Sequence, residues 1–215
     1  MNVGYYFKGG FFLQTNINSI YLSKHSKEYW KVSASQLKNL KTMPAMALLL
    51  AFNIVIGTFF IPVGISLRVY FTFIPTAVAG FIGGPFLAII YGFSSDILGF
   101  IAHPSGAFFP GRTLSSMLGA LIFSLFLFRS RVTVLKIALS KLCVNLFVNI
   151  MLNSLWNFIL YDKGYYYFLT KSIVKNFAML PFEIIILVSI FKMLIPILCK
   201  LKIIPSDTQK QISII

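Results

Sequence analysis

The sequence predicts an all-α integral membrane protein, with six transmembrane helices in one bundle and both termini in the cytosol. Apolar residues make up 58% of the 215 residues and charged residues only 11%, whereas about a quarter of a soluble domain is charged. The other two observations are long charge-free runs and the spread of 19 Lys and Arg residues between these runs. A net charge of +14 distributed in this way indicates membrane topology, and nucleic acid is not an expected partner.

The first 42 residues are predicted to form a cytosolic, lysine-rich segment. They contain six lysines but no unbroken apolar stretch followed by a small-residue cleavage site, so a signal peptide is not expected. The transmembrane domain is predicted to cover residues 43–200, and residues 201–215 are predicted to form a cytosolic tail.

Six charge-poor segments follow one another through the transmembrane domain. A spanning helix needs about 20 apolar residues, and the charge-free run over residues 42–67 meets this length. The sequence GGP at residues 83–85 is a turn signal that divides the next run into a short second helix and a third helix. The predicted helices cover about residues 43–63, 70–82, 86–101, 113–128, 142–161 and 174–198.

The distribution of cations decides whether the short second helix crosses the membrane. With six crossings and a cytosolic N-terminus, 14 of the 19 cations lie inside and 5 outside. If the second helix does not cross, the distribution becomes 10 inside and 9 outside. Because cytoplasmic segments carry an excess of Lys and Arg, six crossings are favoured.

Most polar residues without a role in topology fall toward the outer face. Asn145, Asn149, Asn153 and Asn157 recur every four residues and form one slowly drifting stripe on helix 5. The inner two are typical of hydrogen bonding between helices, whereas the outer two lie beside Trp156. An amide offers a donor and an acceptor, and an indole offers a stacking face, so the outer pair is a candidate site for a flat heterocycle.

Cations near the same face suggest a carboxylate clamp. Arg68, Arg112 and Lys175 are all predicted to lie at the outer side, although an isolated Arg there is also typical of a headgroup anchor. Asp96 is expected to neutralise one of the arginines. Glu183, in the middle of helix 6, needs a partner in apolar surroundings, and the sequence does not identify one.

Enzymatic chemistry is not predicted. The chain has no HExxH, GxSxG, P-loop or GxGxxG sequence before a helix, and no paired carboxylates in the bundle. Neither a metal site nor a cofactor is expected, because the predicted helices lack clustered Asp, Glu and His residues. Cys143 and Cys199 lie singly among apolar residues, as buried fillers do.

Several stretches resemble the substrate-binding S components of energy-coupling factor vitamin transporters, most closely the folate-specific ones. The resemblance covers about residues 38–200, and its most specific element is the proline- and glycine-rich loop before helix 4. The matching stretches are LRVYFTFIP at 67–75, AGFIGGP at 79–85, DILG at 96–99, PSGAFFPGRTL at 104–114, NSLW at 153–156 and KNFAMLP at 175–181.

The resemblance implies a non-catalytic bundle in the bacterial plasma membrane that binds folate at its outer face. It also implies docking on a transmembrane coupling subunit with two cytosolic ATPases, through an AxxxA pair that matches Ala47 and Ala51. The candidate ligand residues, from the polar pattern and the resemblance together, are Arg68, Tyr70, Asp96, Ser105, Phe109, Arg112, Asn153, Trp156, Asn157, Lys175 and Asn176.

Two departures and two alternatives accompany this interpretation. The lead-in is longer than the resemblance implies, and Arg112 occupies a position where an apolar or aromatic residue is expected. An S component for another vitamin, such as thiamine or riboflavin, is one alternative, although cationic thiamine would be poorly matched to the cations named above. A small membrane enzyme or an assembly subunit is the other.

Overall fold

The computed structural model describes residues 27–62, 68–104, 108–161, 165–201 and 203–204. The described chain is almost entirely helical. Its elements, in order, are α1 (Lys27–Gln36), α2 (Thr42–Thr58), β1 (Phe60–Pro62), β2 (Arg68–Tyr70), α3 (Phe73–Ala102), α4 (Pro110–Leu127), α5 (Val134–Cys143), a π-helical segment (Val144–Leu152), α6 (Asn153–Tyr161) and α7 (Tyr165–Lys200).

Four helical stretches are long and apolar enough to cross a membrane within the described residues. These stretches are Phe73–Ala102, Pro110–Leu127, Val134–Leu160 and Leu169–Lys200, and the shorter apolar helix Thr42–Thr58 precedes them. Each predicted helix overlaps a described helical segment, and predicted helices 2 and 3 both overlap α3.

A short antiparallel hairpin separates α2 from α3. Predicted helix 1 was expected to reach residue 63, but α2 ends at Thr58 and β1 pairs with β2, with Phe60 opposite Tyr70 and Pro62 opposite Arg68. Predicted helix 2 accordingly begins at Phe73 instead of Tyr70. In this hairpin the backbone N–H and C=O groups pair across the two strands. An apolar composition alone does not distinguish such a hairpin from a continuing helix.

Gly84 breaks α3 into two helical parts. Its φ of 75° lies in the left-handed region, which glycine adopts without strain, and Pro85 follows it. The break occurs at the GGP sequence that predicted a boundary between helices 2 and 3. Just after the break, the backbone N–H of Phe86 donates a hydrogen bond to Ser33 Oγ at 3.3 Å, and a side-chain acceptor of this kind is typical of the first turn of a helix.

The N-terminal helix α1 packs on this break. Tyr29 is completely buried and packs edge-to-face on Phe128, with ring centroids 5.5 Å apart. A Cβ at Gly84 would lie 2.8 Å from Ser33 Oγ and 2.9 Å from a Phe128 ring carbon. Part of the lysine-rich lead-in is therefore a folded element packed against the bundle.

Helices α3 and α4 approach each other backbone to backbone. A Cβ at Gly80 would lie 2.9 Å from the backbone nitrogen of Ser124, and one at Gly92 would lie 2.7 Å from Met117 Cα. Small residues allow such close packing between helices in a membrane, where van der Waals contact is a main stabilising force. The two glycines thus hold α4 along both parts of α3.

The fifth predicted helix begins earlier than expected. It was predicted from residue 142, but α5 starts at Val134, where the Thr133 side chain caps the helix by accepting a hydrogen bond from the Lys136 backbone nitrogen at 3.3 Å. Lys141, which was expected in the preceding loop, is consequently inside the helix and 1% exposed. The helix then widens into the π-helical segment before α6, a distortion that frequently accompanies functional sites.

Candidate functional site

An aromatic pair joins α6 to the start of α4. The Phe109 and Trp156 ring centroids lie 5.5 Å apart at an interplanar angle of 63°. Trp156 Nε1 donates to Ser115 Oγ at 2.9 Å, which fixes the indole against α4. A Cβ at Gly111 would lie 2.3 Å from the Phe109 ring and 2.8 Å from the Trp156 ring, so a larger side chain there would displace both rings.

Asp96 lies on α3 facing the first turns of α4. Its Oδ2 accepts a hydrogen bond from Thr113 Oγ1 at 2.7 Å, and its Oδ1 accepts one from Ser116 Oγ at 3.4 Å. The expectation that Asp96 neutralises an arginine is not met for Arg112, which is exposed on α4. Hydroxyl donors satisfy the carboxylate instead and tie α3 to α4 beside the aromatic pair.

Lys175 and Asn176, the two candidate site residues at the start of predicted helix 6, both lie on α7. Lys175 is half-buried on α7 and interacts electrostatically with Glu183, about two turns farther along the same helix. Asn176 is buried, and its Nδ2 donates to the Ser172 backbone carbonyl at 2.8 Å. Of the two predicted cations whose side chains are described, Lys175 is therefore more buried than Arg112.

The remaining candidates are described to different extents. Asn153 and Asn157 are half-buried on α6, and Tyr70 is exposed at the end of β2. Only the backbone of Arg68 is described, and Ser105 lies outside the described residues. The structure thus brings Phe109, Trp156 and Asp96 to one end of α4.

A buried ion pair supplies the partner that Glu183 needs. Lys141 Nζ lies 3.1 Å from Glu183 Oε1, and it also lies 4.1 Å from the centroid of the Phe73 ring. Asn145 Nδ2 donates to Glu183 Oε2 at 3.0 Å, and Asn149 Nδ2 donates to Asn145 Oδ1 at 2.9 Å. The prediction of an interhelical hydrogen bond is confirmed for Asn145. The ion pair was missed because Lys141 was assigned to a loop.

The outward side of α2 is apolar and contains the AxxxA pair. Ala47 and Ala51 are both exposed, and Leu48, Phe52 and Val55 beside them are also exposed, Leu48 to 73%. These five residues form the outward α2 face, which extends over about two and a half turns of the helix.

Comparison with known proteins identifies the family. A family described as "ECF transporter, substrate-specific component" matches residues 41–199. The chain belongs to this family. The resemblance noted in the sequence is thereby confirmed, and the apolar helices are those of a membrane protein. ECF substrate-specific components are the substrate-binding parts of transporters, and α1 precedes the part of the chain that matches them.

Two curated relatives of this ECF component are both folate transporters named FolT. The chain is 34% identical over 157 residues to "Folate transporter FolT" of Clostridium novyi (strain NT), covering 73% of this chain and 91% of that protein. It is 28% identical over 145 residues to "Folate transporter FolT" of Leuconostoc mesenteroides, covering 65% of this chain and 78% of that protein.

A solved structure has a similar fold. The crystal structure of FolT bound with folic acid superimposes with a TM-score of 0.64 at 28% sequence identity, covering 69% of this chain and 91% of that chain.

Proposed function

We propose that this protein is the folate-binding component of an ECF importer. The observation that carries the proposal is the 34% identity to a folate transporter over 91% of that protein's length. The folic-acid-bound structure with the same fold supports it. The protein itself is not a catalyst in this proposal, since partner subunits hydrolyse ATP.

The side chains around the aromatic pair suit the two halves of folate. Folate joins a flat pterin to an aminobenzoyl glutamate with two carboxylates. Because the Trp156 N–H is occupied by Ser115, Trp156 offers its π face and the half-buried Asn153 offers amide hydrogen bonding. Lys175 provides a cation for a carboxylate, and we assign Arg68 to the same role.

The proposed topology has six crossings with both termini in the cytosol. The four long apolar stretches and α2 account for five segments, and the break at Gly84 divides α3 into two. The positive-inside distribution of the sequence supports this arrangement. It places the aromatic pair and Asp96 toward the outer face of the bacterial plasma membrane.

The outward α2 face is the proposed contact with the transmembrane coupling subunit, which carries two cytosolic ATPases. Its small residues Ala47 and Ala51 permit close approach of a partner helix, and the exposed apolar side chains around them fit a partner inside the bilayer.

Folate binding is tested directly by calorimetric titration of the purified protein. We expect folic acid to bind with a Kd below about 1 μM, and thiamine and riboflavin to bind at least 100-fold more weakly. Trp156→Leu should weaken folate binding by about tenfold or more, because it removes the stacking face and leaves Ser115 without its partner.

The matched control uses the only other tryptophan of the chain. Trp30 lies on α1 against Phe86, and Trp30→Leu should leave the folate affinity unchanged. Tight binding of thiamine or riboflavin without folate binding would refute the proposed ligand.

Assembly is tested by Ala51→Trp. The indole should prevent close helix approach and reduce co-purification with the coupling subunit at least tenfold, while folate binding stays unchanged. Ala178→Trp makes the same change at an exposed alanine of α7 and should not affect recovery of the complex. Equal recovery of the Ala51→Trp and wild-type complexes would remove the outward α2 face from the interface.

A further inference from the structure

Helix α1 lies at one end of the bundle, where apolar segments begin and end. Tyr29 packs on Phe128, which directly follows the long apolar stretch Pro110–Leu127. A short turn connects α1 to the apolar helix α2, which begins at Thr42. Because one apolar segment ends and another begins beside it, α1 is expected to lie at the surface of the membrane and not within it.

The two sides of α1 differ in exposure and in chemistry. The residues that face the bundle follow helical spacing and are all buried: Tyr29, Ser33 and Gln36. The residues of the opposite side also follow helical spacing and are all exposed: Lys27, Trp30, Lys31 and Ala34. We call these four residues the outer α1 stripe. The helix therefore presents two cations and an indole away from the bundle.

Trp30 is held by the bundle and is open to its surroundings. Its ring centroid lies 5.8 Å from that of Phe86, at an interplanar angle of 70°. Nevertheless, 42% of Trp30 and 40% of Phe86 are exposed. An indole combines an apolar body with a polar N–H, and tryptophan is accordingly enriched where the bilayer meets water.

The same end of the bundle is strongly basic. The Tyr29–Phe128 contact joins two segments, residues 27–41 and 128–133, which contain six cations and one acidic residue, Glu28. The six cations are Lys27, Lys31, Lys38, Lys41, Arg129 and Arg131. Five of them are exposed, and Arg129 is half-buried. A surface of this charge is complementary to an anionic surface.

Arg129 has an unusual backbone and an unusual environment. Its φ of 50° lies in the left-handed region, which is strained for a residue with a Cβ. Its guanidinium carbon lies 5.9 Å from the centroid of the Phe128 ring, and no salt bridge joins it to a carboxylate in the described part of the chain. Burial lowers the pKa of Arg129, so a bound anion would stabilise its charged form. Strain of this kind is concentrated at functional sites.

We propose that the outer α1 stripe and Arg129 form a binding surface for the headgroups of anionic phospholipids. A lipid surface fits better than an acidic protein because an exposed indole lies among the cations, a combination typical of helices that lie in the membrane interface. Each cation near an anionic bilayer contributes about fivefold to the affinity. Since α1 precedes the matched residues 41–199, this surface lies outside the family match, and it does not depend on the identity of the cargo.

The test uses Trp30 as a local reporter of lipid composition. The chain has two tryptophans, so Trp156→Phe leaves Trp30 as the only one. This protein is reconstituted into equimolar bilayers of phosphatidylglycerol and phosphatidylcholine, and bromine atoms that quench tryptophan fluorescence are placed on the acyl chains of one lipid at a time. The ratio of the two quenching efficiencies gives the preference of the Trp30 site for the anionic lipid, which we expect to be about fivefold or more.

Removal of cations from the surface should remove the preference. In the Trp156→Phe protein, Lys27→Gln/Lys31→Gln should lower the preference for phosphatidylglycerol at least threefold. The double variant Arg112→Gln/Lys192→Gln removes the same charge from exposed positions of α4 and α7 and should keep the preference.

Arg129→Gly separates lipid binding from folding. Glycine adopts a φ of 50° without strain, so the variant should lose part of the preference for phosphatidylglycerol while its melting temperature in phosphatidylcholine bilayers does not fall. A lower melting temperature with an unchanged preference would give Arg129 a structural role only and would remove it from the surface.

Three further results would overturn the proposal. Equal quenching by the two brominated lipids would show that the surface does not select anionic headgroups. Absence of quenching by either lipid would place α1 away from the bilayer and favour a protein partner. Loss of the preference on addition of inorganic phosphate at millimolar concentration would assign the site to a free anion instead of a lipid. None of these results depends on folate binding, so the proposed function is tested separately.

Discussion

Replacing Lys141 with methionine is expected to lower the free energy of unfolding by about 3 kcal/mol or more. The substitution keeps the approximate length of the side chain but removes the ammonium group that lies 3.1 Å from the buried Glu183 carboxylate, to which Asn145 still donates. It also removes the ammonium group from the Phe73 ring. Thermal unfolding in detergent micelles, followed by circular dichroism, measures the loss.

Adding Glu183→Leu to the Lys141→Met variant should restore most of the lost free energy of unfolding. The reason is that the double variant has no buried carboxylate at position 183 that lacks its ion-pair partner. Lys192→Met, at an exposed position of α7, serves as the control and should change stability little. If Lys141→Met were as stable as Lys192→Met, the ion pair would contribute nothing to the packing of α5 on α7.

Gly92→Leu is expected to destabilise the bundle by about 3 kcal/mol or more, at the upper end for overpacked interiors. A Cβ at this position would lie 2.7 Å from both Met117 Cα and the Ser116 carbonyl oxygen. These are backbone atoms, so only separation of α3 from α4 would make room. Since Ser116 also donates to Asp96, the folate affinity should fall together with the melting temperature.

Gly99 provides the matched control on the same helix. No heavy atom lies within 4 Å of a Cβ built at Gly99, so Gly99→Leu should be neutral or stabilising by up to about 1 kcal/mol through helix propensity. Equal melting temperatures for the two variants would contradict the close approach of α3 and α4.

The ends of a helix were predicted best where a charge-free run of the sequence ends close to the end of the helix. The hairpin after α2 was missed because residues 42–67 carry no charge, and hydropathy does not distinguish strand from helix in such a run. The start of α5 was misplaced because Lys141 was interpreted as a loop residue. The capping side chain of Thr133 was the available signal for the earlier start.

The sequence predicted which residues belong to the candidate site, but it did not predict which residues contact one another there. Trp156 and Phe109 were named, but Ser115, which holds the indole, has no sequence pattern that distinguishes it from other serines in apolar helices. The hydroxyl partners of Asp96 were missed for the same reason. Glu183 was recognised as needing a partner, yet only the packing of α5 on α7 identifies Lys141.

The docking of α1 on the α3 break has a consequence for the evolution of the chain. Residues 27–36 precede the family match, but Ser33 and Phe128 leave space at position 84 for glycine alone. The N-terminal extension is therefore integrated into the folding unit. Among homologues, loss of a segment equivalent to α1 should coincide with a different residue at position 128 or another donor-satisfying group near the break, so extension length and bundle sequence should co-vary.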